Sequence, residues 1–138
     1  MCLKYGLKRH WDCCFLPQDH CKPCYLPDLK VAEATGLLGP GSWVIADNVV
    51  YPGTPDLLQY LSDEQLYAAA LVPARYEYDQ PWNPSWEPKQ DGMSVAVRLT
   101  GLKAAQESQE RQRLQAFCDG FGIGVGLSSV TAAAGLNT

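Results

Sequence analysis

The chain predicts an α/β fold built on a mixed sheet of about four strands. Short apolar runs rich in β formers alternate with segments of helical periodicity, and each early run is stopped by a carboxylate rather than by a hairpin turn. At 138 residues and 15.2 kDa the chain is long enough to bury one core and no more.

Asp12 to Leu16 is a short apolar run that fits a buried strand. Pro27 to Leu38 places Leu29, Val31, Ala32 and Ala34 at helical spacing, with Pro27 suited to a helix start and Gly36 or Gly39 to its end. Ser42 to Ala46 reads as a second buried strand, ended by Asp47. Pro55 to Leu61 follows a Pro-Gly turn and reads as a short helix. Tyr67 to Tyr78 and Met93 to Leu99 read as two further strands, joined by a loop carrying Pro81, Trp82, Pro84, Trp86 and Pro88. This order implies a crossover between parallel strands and a mixed sheet, with Asp19 and Asp47 at the carboxyl ends of neighbouring strands, where open α/β sheets bind ligands.

Residues 102–138 differ in character from residues 1–101, and the chain divides there into a core domain and an appendage. Lys103 to Phe117 pairs Glu107 with Arg111 at helical spacing and reads as a solvent-facing helix. Beyond it Gly120, Gly122, Gly124 and Gly126 alternate with Phe121, Ile123, Val125 and Leu127. That run follows a polar helix rather than a strand, so a flexible tail is expected rather than a dinucleotide loop.

A net charge of −4 and a pI near 5.0 leave no basic footprint for nucleic acid or anionic lipid, although Lys4, Lys8 and Arg9 gather at the start. No run approaches the ~20 apolar residues of a membrane span, and His10-Trp11-Asp12 follows the basic start where a signal core would stand. A cytoplasmic protein is expected. Of six cysteines, Cys13, Cys14, Cys21 and Cys24 crowd together, away from Cys2 and Cys118. Cys21-x-x-Cys24 has zinc-knuckle spacing, which Cys13, Cys14, His10 or His20 would complete; free thiols filling small apolar positions are the simpler reading.

Asp19, His20 and Lys22 form one cluster, and Asp47-Asn48 another. Asp19, Asp47 and Asn48 offer three oxygens, a donor set that suits magnesium, which takes one or two carboxylates and leaves the rest of its shell to water and substrate. A substrate with adjacent hydroxyls would chelate the open positions, and Lys22 would stand ready to take a proton, its neutral form favoured beside a divalent cation. The same residues also read as a turn cap after a strand and a solvated loop.

Phe15-Leu16, then Asp19-His20-Cys21-Lys22 running into Tyr25-Leu26-Pro27-Asp28, then Val44-Ile45-Ala46-Asp47-Asn48-Val49 and Pro52-Gly53-Thr54-Pro55-Asp56 resemble the catechol O-methyltransferase family over about residues 4–99. The resemblance implies the C-terminal half of a Rossmann-like class I methyltransferase sheet and transfer of a methyl group from S-adenosylmethionine to a catechol hydroxyl. By that resemblance Asp19, Asp47 and Asn48 bind magnesium and Lys22 is the general base. Asn48 and Pro52 border the catechol, His20 belongs with the cofactor, and Glu77, or else Glu87, holds the second hydroxyl. The chain departs from the family at Cys21, where the family has Trp, and at Pro17-Gln18, two extra residues expected to displace Asp19 at its strand end.

The family's S-adenosylmethionine site lies in an N-terminal half with a glycine-rich turn, so that site is expected to be largely absent from this chain. The strand from Asp12 to Leu16 then becomes an open edge inviting self-association or a complementing chain. The alternatives to a methyltransferase are a non-catalytic remnant binding metal or a protein partner, and a cysteine-rich zinc module.

Overall fold

A computed structural model of the chain describes residues 13–78 and 80–127. The expectations placed on Lys4, Lys8, Arg9, His10, Trp11 and Asp12, on Cys2, and on the chain after Leu127 lie outside those residues.

Four strands form one sheet in the order β1 (Cys13–Gln18), β2 (Leu38–Ala46), β4 (Gln90–Arg98), β3 (Tyr67–Arg75). β1 and β2 are parallel, and β4 runs antiparallel to both β2 and β3. This is the expected mixed sheet, with β1 at one edge. Because β4 is reversed, its first residues lie at the same end of the sheet as the carboxyl ends of β1 and β2. The end of β3 reaches that end too, so residues far apart in sequence gather there.

Helices α1 (Tyr25–Ala34) and α2 (Pro55–Leu61) cover one face, and α3 (Ala104–Phe121) the other. α1 turns Tyr25, Leu29 and Ala32 inward at helical spacing, against Leu38, Val44, Ala46 and Ala96 of the sheet. α2 adds Leu57, Leu58 and Leu61 to the same core. On the opposite face Leu114 and Cys118 of α3 pack on Ala68, Ala70, Val95 and Val97. Odd and even residues of β3 and β4 thus divide between two cores, as the two-residue strand period requires.

Most differences from the expected boundaries have identifiable causes. α1 begins at Tyr25 and ends at Ala34, because a 3₁₀ turn at Lys22–Cys24 leads directly into it and Gly36 takes a left-handed φ of 72°. Leu38 therefore starts β2 instead of closing the helix. Gly39-Pro40-Gly41 looks like a strand breaker, yet β2 passes through it. Cys13 pairs with Leu38 and Phe15 with Trp43, so this stretch sits in a register shift where Pro40 forfeits no ladder bond.

Beyond the shift Pro17-Gln18 continue β1 in regular register. These residues pair with Ile45 and Ala46 and lengthen the strand, and the Asp47 N–H donates to the Gln18 carbonyl at 2.9 Å. Asp19 therefore follows β1 level with Asp47. β3 ends at Arg75, short of the expected Tyr78, and β4 starts earlier than expected, at Gln90.

α3 is less wholly solvent-facing than expected, since Glu110, Leu114 and Cys118 form a buried stripe. Residues 122–127 after it turn back onto the sheet. Gly122 caps the helix with φ 67°, the Gly126 N–H donates to the Ala69 carbonyl at 2.9 Å, and Leu127 enters the core. Val125, Gly126 and Leu127 line, with Leu61, Tyr67 and Arg111, a cavity of about 270 Å³ at the amino end of β3. That is the end of the sheet remote from the aspartates. None of the described helices is long and apolar enough to cross a membrane.

Candidate functional site

The site is built around Asn48, which follows β2 with φ 55° and ψ 37°. Asparagine tolerates this left-handed backbone better than most residues. The turn throws the Asn48 side chain, 4% exposed, back over the ends of the strands. Its amide works in both directions. Lys22 Nζ donates to Asn48 Oδ1 at 2.8 Å, while Asn48 Nδ2 donates to Asp91 Oδ2 at 2.7 Å and to Glu77 Oε2 at 3.3 Å.

Lys22 is the second hub. Its ammonium donates to the Tyr25 hydroxyl at 2.7 Å and to Asp19 Oδ1 at 3.2 Å, besides Asn48. Tyr25 hands its own proton to the Asp47 carbonyl at 3.1 Å, and Asp47 Oδ1 accepts the Asn48 N–H at 2.8 Å. Gln18 Nε2 donates to the Tyr25 carbonyl at 2.8 Å, tying the end of β1 to the start of α1. Burial pulls the Lys22 pKa down, but the hydrogen bonds from Tyr25 and Asp19 and their charges outweigh it, so the value lies above the ordinary lysine range.

The structure brings together Asp19, Lys22, Asp47, Asn48 and Glu77, all of which sequence reasoning named. It is Glu77, not Glu87, that reaches Asn48. Pro52 lies exposed in the turn 49–53 between β2 and α2. His20 turns elsewhere: its Nε2 is 2.7 Å from Asp28 Oδ2 and its ring lies 5.0 Å from that of Tyr25. Asp91 was missed. It is 4% exposed, and its Oδ1 accepts the N–H groups of Tyr51 at 3.0 Å and Val50 at 3.3 Å, so it fixes the turn that carries Asn48. The one available signal was a carboxylate beside Gly92 at the head of an apolar strand, where burial demands partners.

The donor set fits a hard cation. Asp19 and Asp47 supply carboxylate oxygens and Asn48 an amide oxygen, and the Lys22 ammonium bridges Asp19 and Asn48 as a cation would. Among the described residues no three His, Cys, Asp or Glu side chains converge as a metal set, so Cys21 and Cys24 gain no third such ligand there; His10 and the side chains of Cys13 and Cys14 lie outside them. For S-adenosylmethionine the described residues supply less. The turns following β1 and β2 contain Gly53 as their single glycine, so neither is a glycine-rich phosphate or nucleoside cradle.

Two parallel strands ending in paired aspartates, helices on both faces and a reversed strand closing the sheet define part of a Rossmann-like methyltransferase fold. No protein-family profile matches the chain. Catechol O-methyltransferase B of Danio rerio is 43% identical over 89 residues, 64% of this chain and 30% of the relative. Catechol O-methyltransferase of Bos taurus is 41% identical over 62 residues, covering 45% and 23%. The transmembrane O-methyltransferase of Homo sapiens is 51% identical over 52 residues, covering 38% and 18%. Over these matched segments the chain resembles the C-terminal region of the catechol O-methyltransferase family. The matched segments span less than a third of the length of these three curated relatives.

Proposed function

We propose that the chain supplies the metal- and catechol-binding end of an O-methyltransferase active site that uses S-adenosylmethionine. The observation that carries this reading is the network at the carboxyl ends of parallel strands, in which Lys22 and Glu77 meet the Asn48 side-chain amide, Asp47 accepts the Asn48 backbone N–H and Asp19 joins through Lys22. Magnesium would be held by Asp19, Asp47 and Asn48, and when bound it supplies Lewis-acid stabilisation of an ionised catechol oxygen. S-adenosylmethionine, when bound, supplies the methyl group, and His20 is the residue assigned to its side of the site.

Within that frame the chain's own residues orient the substrate and move one proton. Pro52 borders the ring, Glu77 accepts a hydrogen bond from one catechol hydroxyl, and Lys22 Nζ takes the proton of the other. Lys22 becomes competent as a base when Asp19 and Asn48 are engaged elsewhere, because Asp19 is among the partners that now raise its pKa. Tyr25 keeps the amine in place through that change, since its hydroxyl remains bonded to Lys22 and to the Asp47 carbonyl.

A second reading, a non-catalytic remnant that pairs with another strand, rests on β1, which among the described residues has β2 as its single neighbour in the sheet. Calorimetric titration with magnesium, followed by a catechol, separates the two. Wild type is expected to bind magnesium, Asp47→Ala to lose it and His20→Ala to keep most of it, with catechol binding dependent on the metal. Equal magnesium affinity in wild type and Asp47→Ala would overturn the assignment.

A further inference from the structure

We propose that Cys21 and Cys24 form a reversible dithiol–disulfide site, oxidised by a low-molecular-weight disulfide of the glutathione class. The inference does not rest on the methyltransferase reading. Its basis is the 3₁₀ turn Lys22–Cys24, entered from Cys21 with a proline at its start. The Cys24 N–H donates to the Cys21 carbonyl at 2.8 Å and closes the turn. A turn closed in this way holds its end Cα atoms within about 7 Å of each other. A disulfide accepts Cα separations of about 4.4–6.8 Å, so ring closure needs little backbone movement.

The side chains agree with the backbone. Both thiols are free and lie at the two ends of this turn. Cys21 is exposed and Cys24 half-buried, which sets the order of events. Cys21 Sγ attacks one sulfur of the oxidant, giving a mixed disulfide and releasing one small thiol that carries away the Cys21 proton. Cys24 Sγ then attacks Cys21 Sγ, forming the internal S–S bond and expelling the second small thiol with the remaining proton. Two electrons and two protons pass to the oxidant, which leaves as two thiols.

The resulting ring encloses Lys22 and Pro23. Lys22 reaches Asp19, Tyr25 and Asn48 from this turn, so oxidation cross-links the segment that presents the amine. Cys118, buried on α3 against the sheet, provides an internal control.

The test treats the full chain with oxidised glutathione, alkylates the remaining thiols and maps the peptides by mass. The peptide containing Cys21 and Cys24 is expected to lose two hydrogen atoms and both alkylation labels together. A reductant should restore both labels, and Cys118 should stay unoxidised and unlabelled until the chain is unfolded. Cys24→Ser is expected to stop at the glutathione adduct on Cys21. The proposal is overturned if wild type also accumulates that adduct, if Cys21 maps to any other cysteine, or if both thiols stay open to alkylation.

Discussion

Replacing Asp91 with alanine tests whether a residue outside the family motifs holds the site together. The carboxylate accepts hydrogen bonds from Asn48 Nδ2 at 2.7 Å, from Tyr51 N at 3.0 Å and from Val50 N at 3.3 Å. Each buried donor left without a partner costs about 1–3 kcal/mol. The Val50 contact is long, and Asn48 Nδ2 keeps a weaker partner in Glu77, so these two count for less than the Tyr51 bond. The sum is about 2–4 kcal/mol. With a urea slope of about 1–3 kcal/mol/M, the unfolding midpoint of Asp91→Ala should fall by roughly 1–2 M. Asp91→Asn retains an oxygen for Tyr51 and Val50 but turns an amide N–H towards Asn48 Nδ2, and should lose about half as much. Magnesium affinity should fall in both variants, because the turn carrying Asn48 is no longer fixed. A midpoint for Asp91→Ala corresponding to less than about 0.5 kcal/mol of destabilisation, the level of an ordinary surface substitution, would refute the assignment.

Further outcomes follow from other parts of the fold. Burial, then a 2.8 Å hydrogen bond to Glu33, pushes the Tyr60 pKa up to about 12, and Tyr67, bonded to the same carboxylate, is raised as well. A raised phenol pKa stabilises the fold at pH below the ordinary tyrosine value of about 10, and that contribution is lost as pH rises through about 12. Alkaline titration followed by tyrosinate absorbance should therefore move towards the ordinary value in Glu33→Ala. Gly92→Ala would set a methyl 2.8 Å from Leu71 Cδ1 and 3.2 Å from Val50 Cγ2, and should destabilise by about 1–3 kcal/mol in chemical denaturation. Leu114→Ala, emptying a fully buried position between α3 and the sheet, should cost about 2–5 kcal/mol in the same assay and leave magnesium affinity unchanged in the protein that remains folded.

How far the sequence revealed the molecule depended on the range of the interactions. α2 appears at Pro55–Leu61 as read, because a proline at its first turn and three buried leucines specify it locally. The start of β2 was hidden by Gly39-Pro40-Gly41, whose breaking tendency is harmless where the ladder to β1 is already interrupted. Asp19, Lys22, Asp47 and Asn48 were legible because each lies in a short motif beside a strand end. Asp91 was not, since its role exists only once a reversed strand brings it back to Asn48 across 43 residues. Tyr25 stood in a family-like motif with no role of its own, and its contact with Lys22 and Asp47 depends on a 3₁₀ turn that propensity does not announce.

Position 48 carries a consequence for how this chain tolerates mutation. It demands a left-handed backbone, an acceptor aimed at Lys22 and a donor aimed at Asp91, all within one short side chain. Glycine meets the first demand alone, aspartate keeps the acceptor but sets a second carboxylate against Asp91, and glutamine carries the right amide on a longer arm with a poorer tolerance of that backbone. In a saturation library selected for function, the sequence space open at this one site should collapse to asparagine.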